Sequence, residues 1–245
     1  MEAKLVSYII PVYNVSAYIE RCAKSLFTQT YGDIEFIFIN DCSTDDSEVK
    51  LRKVIELFPN VQCRVKIISN KTNLGSATTR NIGLSNATGD YVMFADSDDW
   101  VESNYVESMV NTIEASEKDI VYCDYYESFK DQDKYVKQDY GEEHLECICS
   151  MLTHAMHGST CNKIFRRKIL LQSNLTFVDG ADLFEDVGWN VRLFAYTNRI
   201  GYLPLAFYHY IQYNDNSIIK SMSSAVFSRK RALQRLENVR VACEY

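Results

Sequence analysis

The chain has 245 residues, 47% of them apolar and 24% charged, with a formal net charge of −7. That length suits one large α/β domain or two small ones, with enough apolar residues for a substantial core. The acidic balance argues against nucleic acid as a partner, since phosphate binding draws its affinity from Lys and Arg, and no apolar run reaches the length of a membrane span. The tight basic clusters, Arg166-Arg167-Lys168 and Arg229-Lys230-Arg231, read as solvated helix faces, with contact to an anionic membrane surface as the alternative. Met1-Glu2-Ala3-Lys4 passes straight into a strand without a signal-peptide pattern, and the eight cysteines include no Cys-x-x-Cys pair. Together these point to a cytoplasmic protein with reduced, packed thiols.

In chain order, Leu5 to Ile10 reads as a buried first strand that Pro11-Val12-Tyr13-Asn14 closes, because proline cannot continue a central ladder. Ser16 is the expected N-cap of a helix whose inner face is Ile19, Cys22, Ala23, Leu26 and Phe27. Ile34 to Ile39 is a second strand, ending in Asn40-Asp41-Cys42-Ser43-Thr44-Asp45-Asp46, where Asp45 and Glu48 read as a capping pair. A second helix turns Leu51, Val54, Ile55 and Phe58 inward, Pro59 stops it, and Val65 to Ile68 forms a third strand. After Thr72-Asn73-Leu74-Gly75 comes a helix carrying Arg80 and Asn81, which finishes near Gly89.

Tyr91 to Ala95 is a short apolar strand that ends in Asp96, Asp98 and Asp99, with only Ser97 among them. Carboxylates this close repel unless a cation lies among them, and hard oxygen ligands favour Mg²⁺ or Mn²⁺. The plainer reading is that they cap the following helix. Strands alternating with helices give a parallel, doubly wound sheet covered on both faces. The strand ends at Asp41 and at Asp96 to Asp99 then face one edge of the sheet, where a nucleotide-sized crevice is expected.

A helix with Tyr105, Val106, Met109, Val110 and Ile113 leads to a strand from Ile120 to Tyr126. Phe129 to Glu143 is polar and without period, an expected exposed loop, and Leu145, Ile148, Cys149 and Leu152 mark a helix. Glu185 and Asp186 open a helix containing Val187, Val191 and Phe194, where the helix dipole alone would favour acidic residues. A tyrosine-rich strand pair is expected around Ile200 to Ile211, with His209 a packed strand histidine. From Ser223 the chain reads as helical, with Val226, Phe227, Leu233, Leu236 and Val239 apolar, and it stops at Tyr245 without a C-cap, as a truncated chain would. The expected organisation is an α/β part over 1–128, a second part of the same domain over 129–222 and a helical extension over 223–245.

Four motifs resemble the family-2 glycosyltransferases in type, order and spacing: Ile9-Ile10-Pro11-Val12-Tyr13-Asn14; Asn40-Asp41-Cys42-Ser43-Thr44-Asp45; Asn73-Leu74-Gly75 with Arg80-Asn81-x-Gly83; and Asp96-Ser97-Asp98-Asp99. Asn162-Lys163-Ile164-Phe165 and Phe184-Glu185-Asp186 resemble acceptor-side elements of bacterial members that build surface polysaccharides. The resemblance implies a glycosyltransferase A-type fold, a Rossmann-like, mostly parallel central sheet with helices on both faces. It also implies a nucleotide-sugar donor with UDP preferred, a saccharide or lipid-linked saccharide acceptor, one Mn²⁺ or Mg²⁺, and inversion at the anomeric carbon. Carried over by position, Pro11, Tyr13 and Asp41 would hold the base and ribose, and Arg80 the nucleotide or its diphosphate. Asp96 would reach the ribose or metal, Asp98 would bind the metal, and Asp186 would be the general base.

The chemistry makes these residue types intelligible. A departing diphosphate gathers negative charge that a divalent cation offsets, and a sugar hydroxyl needs a carboxylate to take its proton. Cys42, Ala95 and Thr79 depart from the usual family residues without removing a functional group. No glycine-rich basic loop follows the first strand, as a nucleotidyltransferase would need, and no Gly-x-Gly-x-x-Gly is present. The competing reading is a non-catalytic nucleotide- or carbohydrate-binding module of the same fold. Peripheral association with the inner membrane face, through the basic C-terminal helix, is a further expectation.

Overall fold

The computed structural model describes residues 4–138, 140–153, 155–214 and 229–244. Its first half follows the expected alternation. Strand β1 (Val6–Val12) pairs in parallel with β2 (Ile34–Asn40) and β4 (Tyr91–Phe94), and β2 pairs in parallel with β3 (Val65–Ser69). Helices α1 (Ile19–Phe27), α2 (Ser47–Glu56), α3 (Pro59–Gln62) and α4 (Ser76–Asn86) make the connections. The near-continuous burial of β1, β2 and β4 is what strands covered on both faces require. Phe36 and Phe38 meet Phe27 of α1 edge-on at 5.1 and 6.1 Å. The alternate side chains Ile9 and Ile39 meet Gly83 of α4, where a Cβ would overlap Ile9 Cγ2. Successive strand residues point to opposite faces, so α1 and α4 cover opposite sides of the sheet.

Three local expectations are corrected here. Pro11 lies inside β1, opposite Ile39, rather than closing the strand. Its missing N–H costs nothing, because residues 9 and 11 direct their main-chain groups toward β4, as Ile9 O shows by accepting from Ala95 N, and β4 has already ended at Phe94. Ser16 does not cap α1, which starts at Ile19 with no side-chain cap. Instead Ser16 N donates to Asp45 Oδ2 at 3.0 Å, while Asp45 Oδ1 accepts from Ser47 N at 3.0 Å. Glu48 turns away from that cap to take bonds from Asn40, Ser69 and Arg52.

Past β4 the topology changes. The remaining elements are β5 (Trp100–Val101), α5 (Tyr105–Ala115), β6 (Ile120–Ser128), β7 (Asp133–Val136), α6 (His144–Leu152), β8 (Lys163–Arg166), α7 (Arg167–Ser173), α8 (Glu185–Tyr196), β9 (Ile200–Ile211) and α9 (Arg229–Cys243). The sheet order is β3-β2-β1-β4-β8-β6-β9-β5, with β7 beside β6. β8 runs antiparallel to both β4 and β6, β6 and β9 are parallel, and β5 is an antiparallel edge. The sheet is therefore mixed: parallel in its first half, and knitted in its second by β8.

The expected strand pair around Ile200 to Ile211 is one strand, β9. Leu203 and Ala206 oppose the consecutive Cys123 and Asp124, so Pro204 and Leu205 bulge out, as a residue without an N–H allows. The expected loop from Phe129 to Glu143 contains β7, and Gln138 within it is buried because its N–H donates to the buried Asp124 carboxylate. In α6 the inward residues are Cys147 and Met151, while Leu145, Cys149 and Leu152 are exposed. Four thiols are buried, but Cys63, Cys149 and Cys243 are not, so packing describes only some of them. Ser223, Val226 and Phe227 lie outside the described residues, whereas Leu233, Leu236 and Val239 sit exposed on α9. Helix α8 docks on the α4 face through Trp189, stacked on Phe177 at 4.9 Å and edge-on to Phe94 and Phe165.

Candidate active site

The carboxyl ends of β1, β2 and β4 meet along one edge, and two helices, α4 and α8, begin there. Asp41 follows β2 and is buried: Oδ1 accepts from Asn70 Nδ2 and Leu74 N, both at 2.8 Å, and Oδ2 from Gly75 N at 2.9 Å. Its carboxylate thus shapes the turn into α4, where Gly75 takes φ +87° and a Cβ would overlap Asp182. Asn14, itself at φ 51°, accepts from Thr44 N at 2.8 Å and laces the β1 turn to the β2 turn. Beside this frame Tyr13 is 47% exposed, just past the end of β1 that holds Pro11.

The three carboxylates after β4 have unequal tasks. Asp99 spends both oxygens inside the protein, on Tyr208 Oη at 2.6 Å and Ile211 N at 2.8 Å, tying the loop to β9. Burial, then the charges of Asp98 and Asp96, hold its carboxyl well above the usual range. Asp98 accepts from Asn214 Nδ2 at 2.7 Å, and burial followed by the charge of Asp96 raises it as well. Asp96 is partly exposed, and its Oδ1 accepts from Arg80 Nη2 at 2.8 Å. Like-charge pressure on Asp98 is what a divalent cation relieves, and carboxylate oxygens are the donors Mn²⁺ and Mg²⁺ prefer, so these residues fit such an ion. Among the described residues no three His, Cys, Asp or Glu side chains group around one point.

Arg80 joins this loop to the far side of the cleft. The guanidinium is buried, with Nη1 at 2.8 Å from Glu185 Oε1 and 3.6 Å from Asp186 Oδ1 while Nη2 holds Asp96. Burial opposes its charge, but Asp186, Asp96 and Glu185 outweigh that and raise its affinity for the proton. Glu185 and Asp186 open α8 just after Phe184, which adopts a left-handed conformation at φ 63°. Burial pushes Glu185 up to about 7 against the pull of Arg80, and Asp186 is raised in the same way. Asp186 Oδ2 accepts from Thr160 N at 3.3 Å, whereas its Oδ1 has no hydrogen bond among the described residues.

Two supports were not legible in the sequence. Asp182 caps α4 from a distant loop, accepting from Ala77 N at 3.0 Å. Asn238 of α9 donates to Ala181 O and Leu183 O, both at 2.8 Å, while Gln234 reaches Gly180 O at 2.6 Å and Arg235 lies 4.0 Å over the Phe184 ring. The C-terminal helix thereby pins the turn that delivers Glu185 and Asp186. Asp182 lay within an acidic stretch visible in the sequence, but nothing there marked Asn238. His209 is the packed strand histidine expected, stacked on Trp100 at 3.5 Å and Tyr126 at 4.6 Å.

A mixed α/β sheet with an acidic loop after its fourth strand, and a second carboxylate pair facing that loop, defines the class of the A-type glycosyltransferases. Residues 7–172 match the model of the family described as glycosyl transferase family 2. The chain is 32% identical over 242 residues to the "Putative glycosyltransferase EpsH" of Bacillus subtilis, covering 95% of this chain and 68% of that protein. It is 31% identical to the "Glycosyltransferase GlyA" of Streptococcus pneumoniae, covering 84% of this chain and 30% of that protein. Among solved structures, S. aureus TarS 1-349 in complex with UDP-GlcNAc superposes with a TM-score of 0.75 at 22% identity, over 98% of this chain and 71% of that one. Glucosyl-3-phosphoglycerate synthase from Mycobacterium tuberculosis, with Mn²⁺, UDP and glucosyl-3-phosphoglycerate, gives 0.66 at 18% identity, over 96% and 80% of the two chains. The chain belongs to glycosyltransferase family 2.

Proposed function

We propose that this protein transfers a sugar from a nucleotide-sugar, UDP-linked, to a hydroxyl of a saccharide or lipid-linked saccharide in surface polysaccharide synthesis, with inversion and with Asp186 as general base. The observation that carries this reading is the buried guanidinium of Arg80, which holds Asp96 on one side and Glu185 with Asp186 on the other. In this reading one carboxylate group serves the leaving diphosphate and the other the incoming hydroxyl.

In this mechanism Tyr13, Pro11 and the Asp41-shaped turn receive the base and ribose, and Arg80 and Asp96 border the diphosphate. Asp98 would hold Mn²⁺ or Mg²⁺. When bound, such a cation offsets the charge that builds on the departing diphosphate. The acceptor oxygen bonds to the anomeric carbon as the bond from that carbon to the phosphate oxygen breaks, and the hydroxyl proton passes to the Asp186 carboxylate. Burial of Asp186 raises its proton affinity toward the range a general base needs, and its Oδ1, buried 3.6 Å from Arg80 Nη1, makes no hydrogen bond among the described residues. The UDP and Mn²⁺ named in the solved relatives support the choice of nucleotide and ion. The proposed place of work is the cytoplasm, with peripheral association at the inner membrane face; no described helix is long and apolar enough to cross a membrane.

The test is calorimetric titration of UDP and GDP with Mn²⁺ and with chelator, followed by release of UDP from a panel of UDP-sugars. Metal-dependent UDP binding is expected to disappear in Asp98→Ala, and turnover to disappear in Asp186→Asn while UDP still binds. Full turnover by Asp186→Asn would overturn the base assignment, and nucleotide binding without turnover of any donor would favour the non-catalytic module.

A further inference from the structure

The motif Asn162-Lys163 has no place in the chemistry above, yet Lys163 is wholly buried at the start of β8. Its Nζ donates to His157 O at 3.2 Å, Ser159 O at 2.5 Å and Asn162 Oδ1 at 2.8 Å, and Asn162 in turn donates to Cys123 O of β6 at 2.6 Å. Three acceptors match the three protons of an ammonium, and no neutral side chain supplies as many donors from one atom. Two of those acceptors are carbonyls of one short loop, His157 to Thr160. From its other side the loop is held by α8: Asn190 Nδ2 donates to Gly158 O at 2.7 Å, and Gly158 sits so close to Val187 that a Cβ would overlap it. The loop's amide at Thr160 donates to Asp186 Oδ2.

We propose that Lys163 is a positioning residue for the base: its ammonium sets the His157–Thr160 loop so that the Thr160 amide holds Oδ2 of Asp186 and fixes the orientation of that carboxylate. This rests on Asp186 acting as the base. A buried ammonium bonded only to neutral oxygens is costly, which a merely structural contact at this position would not require. Burial pushes Lys163 down to about 8, and the charge that chiefly opposes that fall is Asp186. The groups facing Asp186 are Arg80 from α4, Asp96 after β4, Lys163 from β8, Cys161 beside the loop and its neighbour Glu185. Lys163 and Arg80 are the cations among them.

The test compares wild type, Lys163→Met and Lys163→Arg by Mn²⁺-dependent UDP titration, by the pH profile of UDP release from a UDP-sugar that wild type turns over, and by amide exchange at Gly158 to Thr160. Lys163→Met is expected to bind UDP as wild type does and to lose roughly tenfold or more in kcat. Its acid limb should move up by about one pH unit, because a cation near the base has gone, and the loop amides should exchange faster. Lys163→Arg, which keeps a cation throughout the working range, should restore the acid limb. A folded, UDP-binding Lys163→Met with wild-type kcat and an unmoved acid limb overturns the proposal. If Lys163→Met does not fold, Lys163→Gln is read in its place, and wild-type kcat with an unmoved acid limb overturns the proposal. Asp186→Asn separates the two layers: if that variant retains turnover the base assignment fails, whereas if it is inactive and Lys163→Met is normal only the positioning role fails.

Discussion

Replacing Arg80 with Met removes the one group shared by both halves of the cleft. The guanidinium side chain is 5% exposed and pairs with Asp96 and Glu185 at 2.8 Å and with Asp186 at 3.6 Å. Removing one partner from a buried charge cluster costs about 3–5 kcal/mol, because the remaining charges stay buried without compensation. The deficit should depend on pH, and its sign follows from linkage. Glu185 is already held at about 7 with Arg80 in place, and without it both Glu185 and Asp186 rise further above their unfolded values. The folded variant then binds more protons than its unfolded chain, so its stability grows as pH falls from about 8 toward 5, by up to about 1.4 kcal/mol per unit for each carboxyl. Urea denaturation of wild type and Arg80→Met across that range measures it. The expected deficit is about 3–5 kcal/mol at pH 8, shrinking markedly near pH 5. A deficit below about 1 kcal/mol at pH 8, or one that does not change with pH, would refute the account of Arg80 as the ion-pair centre of the site.

Two further predictions concern packing. Gly83→Ala places a methyl into Ile9 Cγ2 and 3.1 Å from Ile39 Cδ1, so it should destabilise by about 1–3 kcal/mol in urea melts, with loss of the close approach of α4 to β1; unchanged stability would show that α4 is free to shift. Asn238→Ala strips the donors from two carbonyls, Ala181 O and Leu183 O, each worth about 1–3 kcal/mol when left buried and unsatisfied. It should also speed amide exchange across 179–186, and unaltered exchange there would separate α9 from the delivery of Asp186.

Much of this was written locally. The apolar runs of β1, β2 and β4, the 3.6-residue faces of α1 and α5, and the acidic loop after β4 each depend on residues close in sequence, so periodicity and composition determine them. They were enough for the alternating half of the sheet and for the edge on which the carboxylates gather. What only the tertiary structure decided involves partners far apart along the chain. Arg80 meets Glu185 across 105 positions, Ile211 meets Asp99 across 112 and Asn214 meets Asp98 across 116. Such meetings follow from β8 entering antiparallel between β4 and β6, a choice that no local preference encodes because it is settled by which faces the assembled core can bury. That is why three neighbouring aspartates that look equivalent in sequence divide into a structural Asp99, a cation-suited Asp98 and an arginine-held Asp96, and why a lysine in an unassigned motif comes to stand behind Asp186.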